Sequence, residues 1–129
     1  VSLDKKLLDE FDRSIKKKHY TTRSKAIGDL IRESLIVAEW NKGENVAGII
    51  TLVYDHHKRG LVSRITDIQH DYHSLIISSQ HIHLDHDNCL EIVITKGKAE
   101  RIRELSNELK ATKGVKHASL TTASTGKNI

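Results

Sequence analysis

From Val46 to Thr122 the spacing of apolar residues switches repeatedly between two periods, and that alternation limits the folds this chain can adopt. Val46–Tyr54 is rich in Val, Ile and Thr and reads as a strand. Asp55–Gly60 is a polar loop. Leu61, Val62, Ile65, Ile68 and Tyr72 then recur at helical spacing. Ser74–Leu84 reads as a strand, and so does Cys89–Thr95, with Leu90, Ile92 and Ile94 on one face. A helix opens near Gly97, with Ala99, Ile102, Leu105 and Leu109 on its stripe. Gly114 ends it, and Val115–Thr122 is a last strand. The order is β-α-β-β-α-β.

Two split βαβ units in that order predict a ferredoxin-like domain over residues 46–123. Its four strands form an antiparallel sheet with both helices on one side. The other face of the sheet must then meet solvent or a partner. Residues 1–42 read differently. Val1-Ser2-Leu3 is short and extended, and Asp4 caps a helix whose stripe is Leu7, Leu8, Phe11 and Ile15. Lys16-Lys17-Lys18 close that helix at the negative end of its dipole. Thr22 or Ser24 can cap a second helix. Its stripe is Ala26, Ile27, Leu30, Ile31, Leu35 and Ala38, continuing to about Asn41. Lys42–Asn45 is a linker. A strand stub and two helices are too small to bury a sufficient core alone, so dimerisation is expected. Order and size resemble the ribbon-helix-helix DNA-binding module, in which two chains pair their first strands and the second helix aims its N-terminus at a phosphate. A generic helical hairpin used for dimerisation is the plainer alternative. The fold class is therefore α+β.

Charge is weighted to the front. Residues 1–42 hold ten Lys/Arg and seven Asp/Glu, whereas residues 43–129 hold eleven and ten. The net of +4 is compatible with a nucleic-acid partner without demanding one. No apolar run reaches membrane-spanning length and no signal peptide is visible, so no membrane role is expected. The single cysteine cannot form an internal disulfide, which points to a reducing, cytoplasmic setting. The chain opens at Val1 without Met, and its beginning is expected to be incomplete or processed. No phosphate-binding glycine loop, G-x-S-x-G or H-E-x-x-H occurs, so no enzyme is indicated.

The chemistry concentrates in "QHDYHSLIISSQHIHLDHDNC", Gln69–Cys89, which holds five of the nine histidines and the only cysteine. Residues two apart on a strand share a face, so Leu75, Ile77, Ser79, His81 and His83 are expected together. A five-residue turn at Leu84–Asn88 sets His83 opposite Cys89 and His81 opposite Glu91, all on one face. Two imidazoles and a thiol so placed suit three ligands of a transition metal. Glu91 can then accept the second ring N–H of one ligand and fix its tautomer. His70, on the preceding helix, is a fourth candidate. It lies within a turn of that helix's end, and His81 lies about six residues into the following strand, roughly 20 Å away at ~3.3 Å per residue. With bonds near ~2 Å, one ion cannot take both from the same chain. If His70 is a ligand, it comes from a neighbouring subunit. His56, His57, His73 and His86 read as ordinary surface residues. Alternating histidines can equally form a solvated face, and a lone cysteine is often a small core residue.

These residues carry a resemblance. "QH" at Gln69-His70 and "HIHLDHDNCLEI" at His81–Ile92 resemble the nickel-responsive ribbon-helix-helix regulators, the NikR family. "RSKAIGDLIR" at Arg23–Arg32 and "KGVKHASL" at Lys113–Leu120 are similar too. The resemblance implies a metal-dependent repressor acting on double-stranded operator DNA. It implies a homotetramer, with two ribbon-helix-helix dimers flanking four ferredoxin-like (ACT-like) domains. It also implies one square-planar nickel per subunit, shared across a subunit interface, on His81, His83 and Cys89 of one chain and His70 of another. Ser2, Arg23 and Ser24 fall where the family contacts DNA, and Lys58 and Arg59 match a loop that touches phosphates. Most of the base-reading strand would lie upstream of Val1. Gly28 stands where some relatives place an arginine. Lys25 stands where some have a carboxylate of a second cation site, with Asp29 the retained partner.

Other classes are open to a chain of this composition. One is a cytoplasmic transition-metal storage or delivery protein, which has no use for a basic two-helix front end. Another is a zinc hydrolase, which needs an open coordination position that three histidines and a cysteine do not leave. A third is an ACT-type sensor of a small molecule.

Overall fold

A computed structural model describes residues 2–129. The chain forms two compact units, Val1–Leu35 and Ile36–Ile129. Helix α1 runs Lys5–Lys17, and Asp4 caps it by accepting the amide of Lys6 at 2.8 Å. Lys16 and Lys17 sit in its last turn, as the dipole favours. Helix α2 runs Arg23–Asn41. Thr22, not Ser24, supplies its cap, accepting the amide of Lys25 at 3.2 Å. Ser2 and Leu3 carry no strand, and Val1 lies outside the described residues. An edge-forming segment has no ladder partner within one chain, so an extended stub there cannot register as a strand.

Within the front unit, α1 and α2 are joined by chemistry as well as packing. Ile15 and Ala26 are buried. Arg23 grips Asp12 through two bonds of 2.8 and 2.6 Å, and Tyr20 donates to Asp29 at 2.6 Å. Lys25 pairs with the other oxygen of Asp29 at 2.7 Å. The expected apolar stripe of α2 is only partly used: Ile27, Leu30, Ile31 and Leu35 stay exposed in the single chain.

The back unit holds strands β1 (Asn45–Asp55), β2 (Ile76–His83), β3 (Asn88–Lys98) and β4 (Val115–Thr122) with helices α3 (Leu61–Asp71) and α4 (Ala99–Ala111). The sheet order is β2-β3-β1-β4, and every neighbouring pair is antiparallel. That is the ferredoxin-like arrangement. Ile50, Leu52 and Tyr54 of β1 and Val93 of β3 meet Leu61, Ile65 and Ile68 of α3 and Leu105 and Leu109 of α4. Both helices therefore cover one face. The opposite face carries Ile49, Val53, Leu90, Ile92, Ile94 and Ile82, of which Ile49, Ile82 and Ile94 are exposed. Gly60, at φ 77°, takes the left-handed conformation that turns the chain into α3.

The boundary between units differs from the expected linker at Lys42–Asn45. It falls inside α2, because the helix's last turn belongs to the back unit. Trp40 is buried, donates to the carbonyl of Ala123 at 2.9 Å and lies over Gly48, where a Cβ would come within 3.1 Å of the indole. A second difference concerns β2. A 3-10 turn occupies His73–Leu75, so the strand starts at Ile76 and not at Ser74. The register then shifts between Ile76 and Ser78. Such a bulge breaks the alternation, so Ile77 does not continue the face of Ser79, His81 and His83 as expected, while Leu75, in the 3-10 turn, is buried against Ala99 and Ile102. Ile76 packs inward instead, and Ile77 points to solvent.

Candidate metal centre

Beyond the bulge the β2–β3 ladder has the register expected of a five-residue turn. His83 is opposite Cys89, and His81 is opposite Glu91. The turn is fixed locally. Asp85 accepts the amides of Asp87 and Asn88 at 2.9 and 2.8 Å, and these bonds hold its carboxyl below the usual range. On the other side of β3, Tyr54 of β1 is opposite Cys89. The thiol therefore sits between two strands on the covered face of the sheet.

Cys89 is fully buried, and burial pushes its thiol pKa up. Two imidazoles meet it: Nδ1 of His56 at 2.9 Å from Sγ, and Nδ1 of His83 at 3.5 Å. His56, His83 and Cys89 place their donor atoms within 4.8 Å of one another. Burial, then the neighbouring His57 and His83, hold His56 below its ordinary pKa, which keeps its ring neutral and able to ligate. By sequence alone His56 is expected at the surface, whereas the fold brings it to the thiol. The signal that finds it is register: Tyr54 faces Cys89, and His56 follows two residues on, on the side of Tyr54.

His81 stands beside this group with its ring turned elsewhere. Its Nδ1 lies 3.4 Å from the Tyr54 hydroxyl and 3.8 Å from Glu91 Oε1, while its ring centre is 5.2 Å from that of His83. Glu91 is a nearly buried carboxylate with both oxygens occupied. Tyr54 donates to Oε1 at 2.6 Å, and Gln69 of α3 donates to Oε2. Burial and then the Glu91 contact drive the Tyr54 hydroxyl far above its usual pKa, so it remains a donor. Glu91 thus joins β1, α3 and the histidine strand at one point.

His70, next to Gln69, is exposed and stacks against His73 with ring centres 5.9 Å apart. It is not brought to the Cys89 group within the chain. Among the residues expected to contact DNA, Ser2 and Ser24 are exposed, and Arg23 is committed to Asp12. Lys58 and Arg59 are exposed after β1 and line a cleft with Arg64 and Lys113. Among the described residues, no helix is long and apolar enough to cross a membrane.

Fold and site together define a βαββαβ domain that gathers imidazoles and one buried thiol at the end of its central strands. Comparison with known proteins makes this class specific. Residues 47–123 match the family described as "NikR C terminal nickel binding domain". A protein of Syntrophus aciditrophicus named "Putative nickel-responsive regulator" is 59% identical over 126 residues, covering 98% of this chain and 92% of its own length. Proteins of the same name from Chlorobium phaeobacteroides and Desulfotalea psychrophila are 53% and 48% identical, covering 96% and 100% of this chain and 92% and 95% of their own lengths. The uncharacterized protein TM1266 from Thermotoga maritima shares the fold, with a TM-score of 0.55 at 16% identity, over 61% of this chain and 98% of that one. The chain belongs to the NikR family, a family of regulators and not of enzymes.

Proposed function

We propose that the chain is a transcriptional repressor that binds double-stranded operator DNA when loaded with Ni(II), and so controls nickel-uptake genes. The observation that carries this reading is the hairpin register, His83 opposite Cys89 and His81 opposite Glu91, inside a domain that matches a nickel-binding family. The donor set fits such an ion. The Cys89 thiol lies 3.5 Å from Nδ1 of His83, near the about 3 Å between neighbouring ligands on bonds of ~2 Å. An N/S donor field is one that Ni(II) accepts in square-planar form.

In this reading His81, His83 and Cys89 of one subunit and His70 of another hold one nickel per subunit. His81 turns its Nε2 to the ion while Nδ1 stays with Tyr54 and Glu91, which fixes the tautomer. His56 gives up its contact with the thiol. Homotetramerisation is supported by two uncovered apolar surfaces. One is the open sheet face with Ile49, Ile82 and Ile94, and the other is the exposed Leu30, Ile31 and Leu35 of the front unit. The front unit acts as a ribbon-helix-helix module, paired with that of a second chain. Ser2 and Ser24 touch DNA, with Arg23 if it leaves Asp12, and Lys58 and Arg59 hold phosphates. A thiolate ligand and a DNA target both fit a cytoplasmic setting.

The test is a gel shift on a palindromic duplex selected from random DNA by the nickel-loaded protein. Retardation should appear with nickel, disappear with a chelator, and be lost in Cys89→Ala. Equal retardation with and without nickel would sink the proposal.

A further inference from the structure

The front unit supplies its own carboxylates to the helix where DNA phosphates are expected. Helix α2 carries three cations, Arg23, Lys25 and Arg32, and each meets a carboxylate of the same unit. Lys25 and Arg32 share Oδ1 of Asp29, at 2.7 and 3.4 Å, within the helix itself. Arg23 is different. It opens α2, between Thr22 and Ser24, and reaches back to α1, where its Nε and Nη2 donate to the two oxygens of Asp12 at 2.8 and 2.6 Å. We propose, building on the DNA-binding role given above, that Asp12 is an internal stand-in for a DNA phosphate: it holds Arg23 in the free chain, yields it when DNA binds, and so limits how tightly the front unit holds DNA.

Geometry and exposure permit the exchange. A guanidinium grips a carboxylate and a phosphate through the same two parallel N–H bonds, so one partner can replace the other without rebuilding the donor. Both side chains are open to solvent, with 52% of Arg23 and 38% of Asp12 accessible. The pair can therefore part without leaving a buried charge behind, the step that makes buried ion pairs costly to break. Asp29 is held more firmly, because Tyr20 also donates to its second oxygen at 2.6 Å. The position fits as well. Arg23 is the first residue of α2, and the amides and dipole at a helix N-terminus attract anions. A phosphate drawn there competes with Asp12 for the guanidinium.

The size of the effect follows from the exposure. An exposed ion pair contributes up to about fivefold to an equilibrium constant. A paired module would break two clasps on one duplex, and the factors multiply. Asp12→Asn keeps the shape of the side chain and removes its charge, so it should tighten DNA binding by about 3- to 25-fold. The clasp also braces α1 against α2. The substitution therefore weakens the unit while it strengthens binding, and a purely structural role does not produce those opposite signs.

The test is fluorescence anisotropy of the nickel-loaded full chain on two labelled duplexes, the selected palindrome and one of random sequence. Asp12→Asn should lower Kd on both by the same factor, because phosphate contacts carry no sequence information. Asp12→Ser should show a similar gain, so that an effect peculiar to one side chain's packing is not taken for the release of Arg23. Asp9→Asn removes an equal charge one turn earlier on α1. Asp9 acts on Arg23 through space, and its loss leaves the clasp in place, so the gain should be much smaller. Arg23→Gln should weaken binding, and adding Asp12→Asn to it should change nothing further. Binding by wild type with no gain in Asp12→Asn, an equal gain in Asp9→Asn, or a gain that survives in Arg23→Gln overturns the proposal and leaves the DNA-binding role standing. Failure of wild type to bind either duplex overturns the DNA-binding role itself, and the proposal for Asp12 falls with it.

Discussion

Glu91 shows how much one residue can hold in place. A carboxylate this deeply buried costs several kcal/mol unless it is bonded, and its bonds here come from Tyr54 and Gln69. Its negative charge faces His81, so it favours a ring that donates from Nδ1 and presents Nε2 outward. Glu91→Gln keeps the shape and removes the charge. Nickel affinity should fall by about 10–100-fold, the usual effect of altering a ligand's support, with the far-ultraviolet spectrum unchanged. A titration that leaves affinity intact would show that Glu91 serves the fold alone. Cys89→Ala tests the ligand itself. The loss of one small buried group should cost about 1 kcal/mol in denaturant unfolding, because Ile50, Leu52, Val93 and Leu105 still pack the core. The thiolate-to-metal band should vanish and nickel binding weaken by about a hundredfold or more. A variant that binds nickel as tightly as wild type would remove Cys89 from the site.

At the scale of elements, the strands and helices were legible wherever period alone decides. The β-α-β-β-α-β order and the His83–Cys89 register follow from alternation and turn length, and both are observed. What escaped the sequence depends on pairing between distant segments. His56 reaches Cys89 across 33 residues because β1 lies beside β3, and that adjacency must be known before the histidine can be placed. The bulge in β2 is local but has no proline or glycine to mark it. Helix α2 ends at Asn41 as its periodicity predicts, but the boundary between units falls inside it, because Trp40 binds its last turn to the back unit. The clasp between α1 and α2 was equally invisible. Arg23 lowers the pKa of Asp12 chiefly through their hydrogen bonds. A carboxyl with a depressed folded pKa adds stability above its unfolded value, about 3.9, and loses it as pH falls through the folded value. Asp12→Asn should therefore lower the melting temperature of the helical signal at pH 7. The gap to wild type should close progressively below about pH 4. A gap that is constant from pH 7 to pH 3 would mean the ion pair is not its source.

At the scale of the whole molecule, the proposed nickel centre turns on which chain would supply a fourth ligand. His70 is exposed, stacked on His73 and absent from the donor group of its own chain. Its sequence neighbour Gln69 bonds Glu91, so α3 is already tied to the site while His70 remains available to another subunit. An isologous contact would place two such sites at each interface, each made of His81, His83 and Cys89 from one chain and His70 from the other. That symmetry gives a quantitative outcome. His70→Ala chains keep the three-residue set, and His81→Ala chains keep the donated histidine. Either variant alone should bind nickel weakly at every site. In a one-to-one mixture that re-assembles at random, about half of the interfaces join unlike chains, and one of the two sites in each is complete. Mixing through mild denaturant and refolding should therefore restore tight binding at about a quarter of all sites, with the thiolate band recovering in proportion. Subunit exchange can be verified by mass spectrometry of the intact assembly. If the chains mix and no tight sites return, each chain holds its metal alone, and His56 replaces the partner's His70 as the fourth ligand to be tested.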